Sequence, residues 1–155
     1  MEKKLSVVVS VYNEEQALPM FYETTKLILE ILPWDYELLF VNDGSRDDSL
    51  SILREYAARD EKVKFVSFSR NFGHEAAMIA GIDYADGDGI VCMEADLQHP
   101  PECLPEIVRK FEEGCGVISM VRTKNKSAGL LKNITSAGFY RVINALSDVK
   151  FEPNA

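Results

Sequence analysis

The chain has 155 residues, of which 46% are hydrophobic and 27% charged, as is typical of one soluble globular domain. This composition excludes disordered, collagen-like and disulfide-scaffold chains. A net charge of −8 argues against nucleic acid as a partner, because the phosphate backbone would repel the protein. The cysteines at positions 92, 103 and 115 lack the paired spacing of a zinc or redox motif, so we expect ordinary reduced thiols.

Predicted strands and helices alternate along the chain. Short apolar runs bounded by turn residues predict buried strands, and apolar residues three or four positions apart predict the helices between them. The predicted elements are strand 5–11, helix 16–32, strand 36–42, helix 48–59, strand 63–67, helix 75–85, strand 89–93, helix 102–113 and strand 116–121. This order predicts an α/β fold with a mostly parallel sheet and helices on both faces.

The last part of the chain differs in charge from the rest. Between Gly116 and Lys150 there are six basic side chains and a single acid, Asp148. We predict one domain over residues 1–155, with a core at 1–123 and a distinct region at 124–155. Residues 130–146 are apolar and basic, which predicts either a core helix or a helix lying on an anionic membrane surface. No signal peptide or membrane-spanning run is recognised.

Acidic residues follow three of the predicted strands: Glu14 the first, Asp43 the second, and Glu94 and Asp96 the fourth. The carboxyl ends of parallel strands form one ligand-binding edge, where these charges would repel one another without a cation or hydrogen-bond donors. We therefore expect Mg²⁺ or Mn²⁺, held by oxygens of Asp96 and Gln98 together with substrate phosphates. Each acid taken alone could instead cap a helix or remain solvated.

Several enzyme classes lack their motifs in this chain. The absence of G-x-G-x-x-G, G-x-x-x-x-G-K-[ST] and G-x-S-x-G excludes dinucleotide-dependent redox enzymes, P-loop NTPases and serine hydrolases with a nucleophile elbow. A phospho-receiver domain would need an aspartate after the third strand, where Ser67–Arg70 stand. Asp86–Gly89 also fits a D-x-D pattern, but it precedes a strand, so we expect it at the opposite edge of the sheet.

Three segments in order resemble the family 2 inverting glycosyltransferases of GT-A fold. They are Val9–Glu15 after the first strand, Val41–Ser45 after the second and Glu94–Pro101 after the fourth. Within that family the chain is most similar to the polyprenyl-phosphate branch, which comprises dolichyl-phosphate mannose synthases and bactoprenol glucosyltransferases. Arg70–His74 and Val121–Arg122 are also in register, so the resemblance covers nearly the whole chain.

The resemblance implies a Rossmann-like GT-A domain that binds a nucleoside-diphosphate sugar, UDP- or GDP-linked, together with Mg²⁺ or Mn²⁺. It implies transfer of the sugar, with inversion, to a polyprenyl phosphate at the cytoplasmic face of a membrane, and self-association into a homo-oligomer stays open. It places the donor nucleotide at Val11, Tyr12, Glu14, Asp43, Ser45, Glu94 and Ala95, the diphosphate at Arg70 and Arg122, and the metal at Glu94, Asp96 and Gln98. Ser45 could equally be a turn or helix cap.

The chain departs from the family pattern in two places. The acidic triplet, usually D-A-D, has Glu94 in its first position, and the extra methylene leaves open whether this side chain contacts the ribose or the metal. The family's G-D-F-R-like segment, with the presumed catalytic base, is not found before Ala155. We therefore expect the base after Ala155 and the chain to be part of a longer, membrane-anchored protein.

Alternative functions and simpler roles stay open. The chain could be a donor-binding module without turnover, a glycosyltransferase with a soluble saccharide acceptor or, more distantly, a nucleotidyltransferase. His74 is interpreted as a polar cap near a helix start in preference to a sugar or phosphate contact. His99 could support the metal motif, and Trp34 is interpreted as a packing residue at a helix–strand corner.

Overall fold

Four parallel strands form a sheet in the order β3-β2-β1-β4 in a computed structural model that describes residues 3–96 and 100–120. The strands are β1 Lys4–Val11, β2 Asp35–Asn42, β3 Val63–Ser67 and β4 Gly89–Glu94. The helices are α1 Leu18–Leu29, α2 Ser49–Arg59, α3 His74–Tyr84 and α4 Leu104–Glu112, and a 3-10 turn, Pro101–Cys103, precedes the last. The predicted alternation of strands and helices around a parallel sheet is confirmed.

One predicted element is wrong over its described part. Residues 116–120, predicted to begin a strand at 116–121, form neither strand nor helix, and Val117 is 91% exposed. The apolar pattern of this segment satisfies the period of a strand, but a strand also needs a hydrogen-bonded neighbour, which the pattern does not supply. The chain divides into two compact units, 1–114 and 115–155; the boundary predicted after residue 123 stays a prediction.

Helices cover both faces of the sheet. On one face, the Phe21 ring of α1 meets Phe40 of β2 edge to face, with centroids 6.3 Å apart. On the other face, Ala77 of α3 packs among buried residues that include Val8. Gly81 lets α3 approach closely, because a Cβ there would lie 2.1 Å from Val8 Cγ1. The buried apolar runs of β1 and β2 are thereby shielded on both sides, as predicted for central parallel strands.

Trp34 packs at the corner that leads into β2. Its ring is 7% exposed and lies 6.3 Å from the Phe111 ring of α4. Its indole N–H donates to Glu112 Oε1 at 2.9 Å, so the polar end of the buried ring is satisfied. The interpretation of Trp34 as a packing residue is confirmed.

The direction of the chain across the sheet reverses at β1. β1 to β3 follow one another outward on one side, and β4 returns to pair with β1 on the other, with Leu5 opposite Gly89 and Ser10 opposite Glu94. Open α/β sheets bind ligands beyond the carboxyl ends of the strands at such a reversal. The fold therefore directs attention to the loops after β1, β2 and β4.

At the opposite, amino edge of the sheet, a buried carboxylate is surrounded by donors. Glu37, 1% exposed, accepts hydrogen bonds from Ser6 Oγ at 2.5 Å and Lys64 Nζ at 2.6 Å. The Asp86 N–H donates to the same carboxylate at 3.0 Å, while the Asp86 carboxylate pairs with Lys4 Nζ at 2.5 Å. The D-x-D pattern that begins at Asp86 thus lies at the edge away from the predicted site, as expected.

Gly44, in the turn after β2, permits a close approach between two loops. Its φ is +67°, and a Cβ there would lie 2.3 Å from the carbonyl carbon of Arg70 and 2.6 Å from Asn71 N. These neighbours are backbone atoms, so they cannot rotate away as a side chain could. Glycine at this position therefore allows the 70–73 loop to lie against the end of β2.

We predict that Glu37→Gln lowers the free energy of unfolding by about 2–3 kcal/mol at pH 7. The substitution removes the buried carboxylate that pairs with Lys64 Nζ at 2.6 Å and Lys4 Nζ at 3.3 Å. Burial raises the pKa of the Glu37 carboxyl, but the hydrogen bonds from Lys64 and Ser6 outweigh it and hold the pKa below the usual 4.5. The contribution is therefore full above pH 4.5 and is lost as the pH falls through the lowered pKa of the folded chain.

Urea unfolding between pH 3 and pH 7 tests this prediction. Glu55→Gln, in the exposed pair of Glu55 with Arg59, is the matched control and should change stability by no more than about 0.5 kcal/mol. Equal losses in the two variants, or a loss in Glu37→Gln that does not shrink in acid, would contradict the assigned role.

We also predict that Gly44→Ala destabilises the chain more than Gly114→Ala does. Both glycines have positive φ, but a Cβ on Gly114 would meet no atom within 4 Å. Each variant incurs the left-handed backbone cost of about 1–2 kcal/mol, and Gly44→Ala adds a clash of roughly 1–3 kcal/mol. Equal urea midpoints for the two variants would contradict this prediction, because they would show that the 70–73 loop moves away from the added Cβ without loss of stability.

Candidate functional site

A pocket of about 140 Å³ opens at the carboxyl end of β1. It is lined by Ser10, Val11, Tyr12, Asp43, Asn71 and His74. The sequence predicted Val11, Tyr12 and Asp43 as nucleotide contacts, and these three lie together in the pocket. Tyr12 is 42% exposed, so its ring offers an aromatic surface on which a planar base can stack.

The Asp43 carboxylate links the end of β2 to the loop that leads into α3. It is 2% exposed, and its two oxygens accept hydrogen bonds from the backbone N–H groups of Phe72 at 2.7 Å and Gly73 at 3.0 Å. A carboxylate at the start of α3 is also favoured by the helix dipole. Each oxygen keeps a second lone pair, so the predicted role of Asp43 toward a base stays a prediction beside this structural one.

The loops after β1 and β2 are joined by hydrogen bonds centred on Asn13, which has a φ of 56°. Asn13 Oδ1 accepts from Arg46 N at 2.8 Å, and Asn13 N donates to Ser45 Oγ at 3.0 Å. One residue on, Glu14 N donates to Ser49 Oγ at 2.9 Å. Ser45 is therefore a bridge between turns, whereas α2 begins after Asp48; its predicted contact with the nucleotide stays a prediction.

The predicted gathering of acids at the carboxyl edge is confirmed for Glu14, Glu94 and Asp96. Burial raises the pKa of the Glu14 carboxyl above 4.5, and the negative charges of Asp96, Asp47 and Glu94 raise it further. Such repulsion acts only between groups that are close together. Carboxylates from the ends of β1 and β4 thus converge on one region, where a cation would relieve their repulsion.

These residues fit a cation that a substrate helps to hold. Within 3–96 and 100–120, no group of three or more His, Cys, Asp or Glu side chains is arranged to hold a metal by itself. Mg²⁺ typically uses one or two protein carboxylates and completes its shell with phosphate oxygens and water. Asp96 can serve as such a carboxylate, while Gln98, predicted beside it, lies outside the described residues.

The interpretation of His74 as a helix cap is wrong. His74 is the first residue of α3, the preceding cap position is Gly73, and no side chain caps the helix. The imidazole instead lines the pocket, with Nδ1 2.9 Å from Ser10 Oγ and Nε2 3.6 Å from Glu94 Oε1. The prediction failed because nothing in the local sequence of α3 shows that the ends of β1 and β4 lie beside it.

The structure describes the remaining predicted site residues only in part. Ala95 is 1% exposed, and the Arg70 guanidinium lies 4.7 Å from the Phe72 ring centroid. Arg122 and His99 lie outside the described residues. Their assigned contacts stay predictions. The sequence analysis did not select Ser10 and Asn71, although they stand next to the selected residues Val11 and Arg70.

Over the described ranges, no helix combines the length and the apolar character needed to cross a bilayer.

Comparison with known proteins gives one consistent result. Residues 6–150 match the model of the family described as "Glycosyl transferase family 2". Over 144 residues the chain is 48% identical to an uncharacterised glycosyltransferase, YkcC, of Bacillus subtilis, covering 93% of this chain and 45% of the relative. It is 40% identical over 151 residues to a bactoprenol glucosyl transferase of Shigella phage SfV, covering 97% and 49%. The chain thus spans about half the length of these relatives.

Two solved structures share the fold. Glucosyl-3-phosphoglycerate synthase from Mycobacterium tuberculosis, in complex with UDP, aligns with a TM-score of 0.64 at 21% identity, over 93% of this chain and 50% of that one. Mannosyltransferase PcManGT from Pyrobaculum calidifontis, in complex with GDP-Man and Mn²⁺, aligns with a TM-score of 0.60 at 20% identity, over 70% and 32%. The parallel sheet, the pocket at its reversal point and the match over residues 6–150 lead to one conclusion: the chain belongs to glycosyl transferase family 2.

Proposed function

We propose that this chain is the donor-binding part of a glycosyltransferase that moves a sugar from a nucleoside diphosphate to a polyprenyl phosphate, with inversion at the anomeric carbon. The observation that carries the proposal is the pocket at the end of β1, lined by Tyr12 and Asp43, beside the acidic group of Glu14, Glu94 and Asp96. An aromatic surface, hydrogen-bond acceptors and a place for a cation together match the three parts of a nucleoside diphosphate.

The nucleoside would bind in the pocket. The Tyr12 ring stacks on the base, and Asp43 keeps lone pairs for an imino proton while its hydrogen bonds to Phe72 and Gly73 hold it still. A preorganised acceptor of this kind avoids the cost of ordering a mobile side chain on binding. UDP and GDP both stay open as the donor nucleotide, since solved proteins that share this fold are seen with either.

The diphosphate would extend toward the end of β4. Asp96, together with Gln98, would hold a divalent cation, Mg²⁺ or Mn²⁺; PcManGT, with the same fold, was solved with Mn²⁺. When bound, the cation would neutralise the negative charge that develops on the departing diphosphate. Arg122 and Arg70 are the predicted cationic side chains on that diphosphate, where a guanidinium can form paired hydrogen bonds.

In the transfer step, an oxygen of the acceptor phosphate attacks the anomeric carbon on the side opposite the diphosphate. The new bond from carbon to phosphate oxygen forms as the bond to the nucleoside diphosphate breaks, and that diphosphate leaves with the electron pair. An ionised phosphate acceptor carries no proton on the attacking oxygen, so it needs little help from a base. The site's main tasks are then positioning and charge neutralisation.

The acceptor is proposed from the curated relatives. The bactoprenol glucosyl transferase of phage SfV, whose name indicates a lipid-linked acceptor, is 40% identical to this chain over 151 residues. This similarity favours a lipid phosphate as the acceptor, and the whole protein would then work at the cytoplasmic face of a membrane.

We predict that Asp96→Asn weakens the Mn²⁺-dependent binding of a nucleoside diphosphate by about tenfold or more. Substituting a residue that only hydrogen-bonds to a metal ligand already lowers metal affinity by about tenfold, and a direct ligand should matter at least as much. Calorimetric titration of UDP and GDP, with and without Mn²⁺, measures this. Asp88→Asn, in the D-x-D pattern at the amino edge, is the matched control and should bind like the unchanged chain. Equal Mn²⁺-dependent affinities in the two variants would remove Asp96 from the metal site.

We further predict that the whole protein transfers labelled sugar from a UDP- or GDP-sugar to undecaprenyl phosphate in detergent, releasing one nucleoside diphosphate for each sugar moved. Lipid-linked label is separated by solvent extraction and the released nucleotide by chromatography. Label found only in added soluble saccharides would replace the proposed acceptor, and release of pyrophosphate would indicate a nucleotidyltransferase. Donor binding without any transfer would favour a binding module.

A further inference from the structure

Ser10, His74 and Glu94 form a row of side chains from three elements, β1, α3 and β4. Ser10 Oγ lies 2.9 Å from His74 Nδ1, and His74 Nε2 lies 3.6 Å from Glu94 Oε1. Ser10 and Glu94 are paired across β1 and β4, at the reversal point of the sheet. The side chains of His74 and Glu94 are 48% and 41% exposed, so the row does not build the core and faces the pocket region.

Ser10 Oγ and His74 Nδ1 share a hydrogen bond whose donor depends on the tautomer of the ring. In the tautomer in which the Ser10 hydroxyl donates to Nδ1, Nε2 carries the ring proton, 3.6 Å from Glu94 Oε1. A carboxylate accepts from several donors at once, so this contact leaves acceptor positions on Glu94 for a ligand.

The order of the strands places this row between the two ends of the proposed donor. Asp43 follows β2, Tyr12 follows β1 and Asp96 follows β4, and these strands are adjacent in the sheet. Two inter-strand spacings amount to about 10 Å. A nucleotide with its base at Asp43 and Tyr12 and its phosphates near Asp96 must carry its ribose over the junction of β1 and β4, where His74 and Glu94 meet.

We propose that His74 is a positioning residue that holds the Glu94 carboxylate as the acceptor for the ribose hydroxyls of the donor. This inference rests on the proposed function. Paired hydroxyls donating to one carboxylate are a common means of recognising ribose. The length of Glu94 is part of the arrangement, because an aspartate at this position would end one methylene short of His74 Nε2.

The test is the selectivity for ribose, measured by calorimetry with UDP and GDP and their 2′-deoxy and 3′-deoxy forms in the presence of Mn²⁺. The unchanged chain should bind the better ribonucleotide at least about tenfold more tightly than one of its deoxy forms, as expected for a hydrogen bond to a charged group. In His74→Ala this ratio should fall to about 3 or less, and Glu94→Asp should behave in the same way.

Two conservative variants separate positioning from packing. In His74→Gln the amide nitrogen can occupy the place of Nε2, so contact with Glu94 and most of the selectivity should return. In His74→Asn the shorter amide reaches only toward Ser10, so the selectivity should stay low. Glu75→Gln, at an exposed neighbour in the same helical turn, is the control and should bind like the unchanged chain. Urea midpoints verify that each variant is folded.

The outcomes distinguish the two proposals. If the unchanged chain binds no nucleoside diphosphate, the proposed function and the role of His74 both fall. If it binds but shows no preference for ribose, or if His74→Ala keeps the full preference, only the role of His74 is overturned. Loss of the Mn²⁺ dependence in His74→Ala, with ribose selectivity intact, would instead make Glu94 a metal ligand and would also overturn it.

Discussion

The buried carboxylate of Asp43 sets the geometry on which the rest of the site depends. By accepting the N–H groups of Phe72 and Gly73, it holds the 70–73 loop against the end of β2, and Gly44 makes that approach sterically possible. Because this loop leads directly into α3, its position also determines where His74 stands. Asp43 thus lines the pocket itself and also positions α3, whose first residue, His74, lines the same pocket.

Carboxylates at the two edges of the sheet lie in opposite electrostatic surroundings. At the amino edge, hydrogen bonds from Lys4 and Lys64 lower the pKa of Asp86 to about 2, so its negative charge stabilises the fold. At the carboxyl edge, burial and the nearby charges of Asp96, Asp47 and Glu94 raise the pKa of Glu14. Carboxylates that repel one another are suited to binding a cation, because the cation would relieve their repulsion. Carboxylates already paired with lysines are suited to stabilising the fold. The contrast separates the D-x-D pattern at Asp86 from the Glu94–Asp96 triplet at the carboxyl edge.

The sequence predicted that acids collect at the strand ends, and the family resemblance assigned the nucleotide contacts. Of the residues so assigned, Val11, Tyr12 and Asp43 line one pocket. His74 was misassigned because its partners Ser10 and Glu94 are 64 and 20 residues away in the chain. A local sequence window records a histidine at a helix start, but it contains no information about which strands lie beside that helix.

The sequence by itself determined the alternation of strands and helices, the parallel sheet and the edge at which acids collect, because hydrophobic periodicity and turn residues act over short distances. Only the tertiary structure decided that β4 pairs with β1, which brings Glu94 beside Ser10. It alone decided that residues 116–120 gain no strand partner, and that Asp43 binds backbone of the loop before α3. These are contacts between distant segments, and their energies depend on packing in three dimensions, which no local pattern specifies.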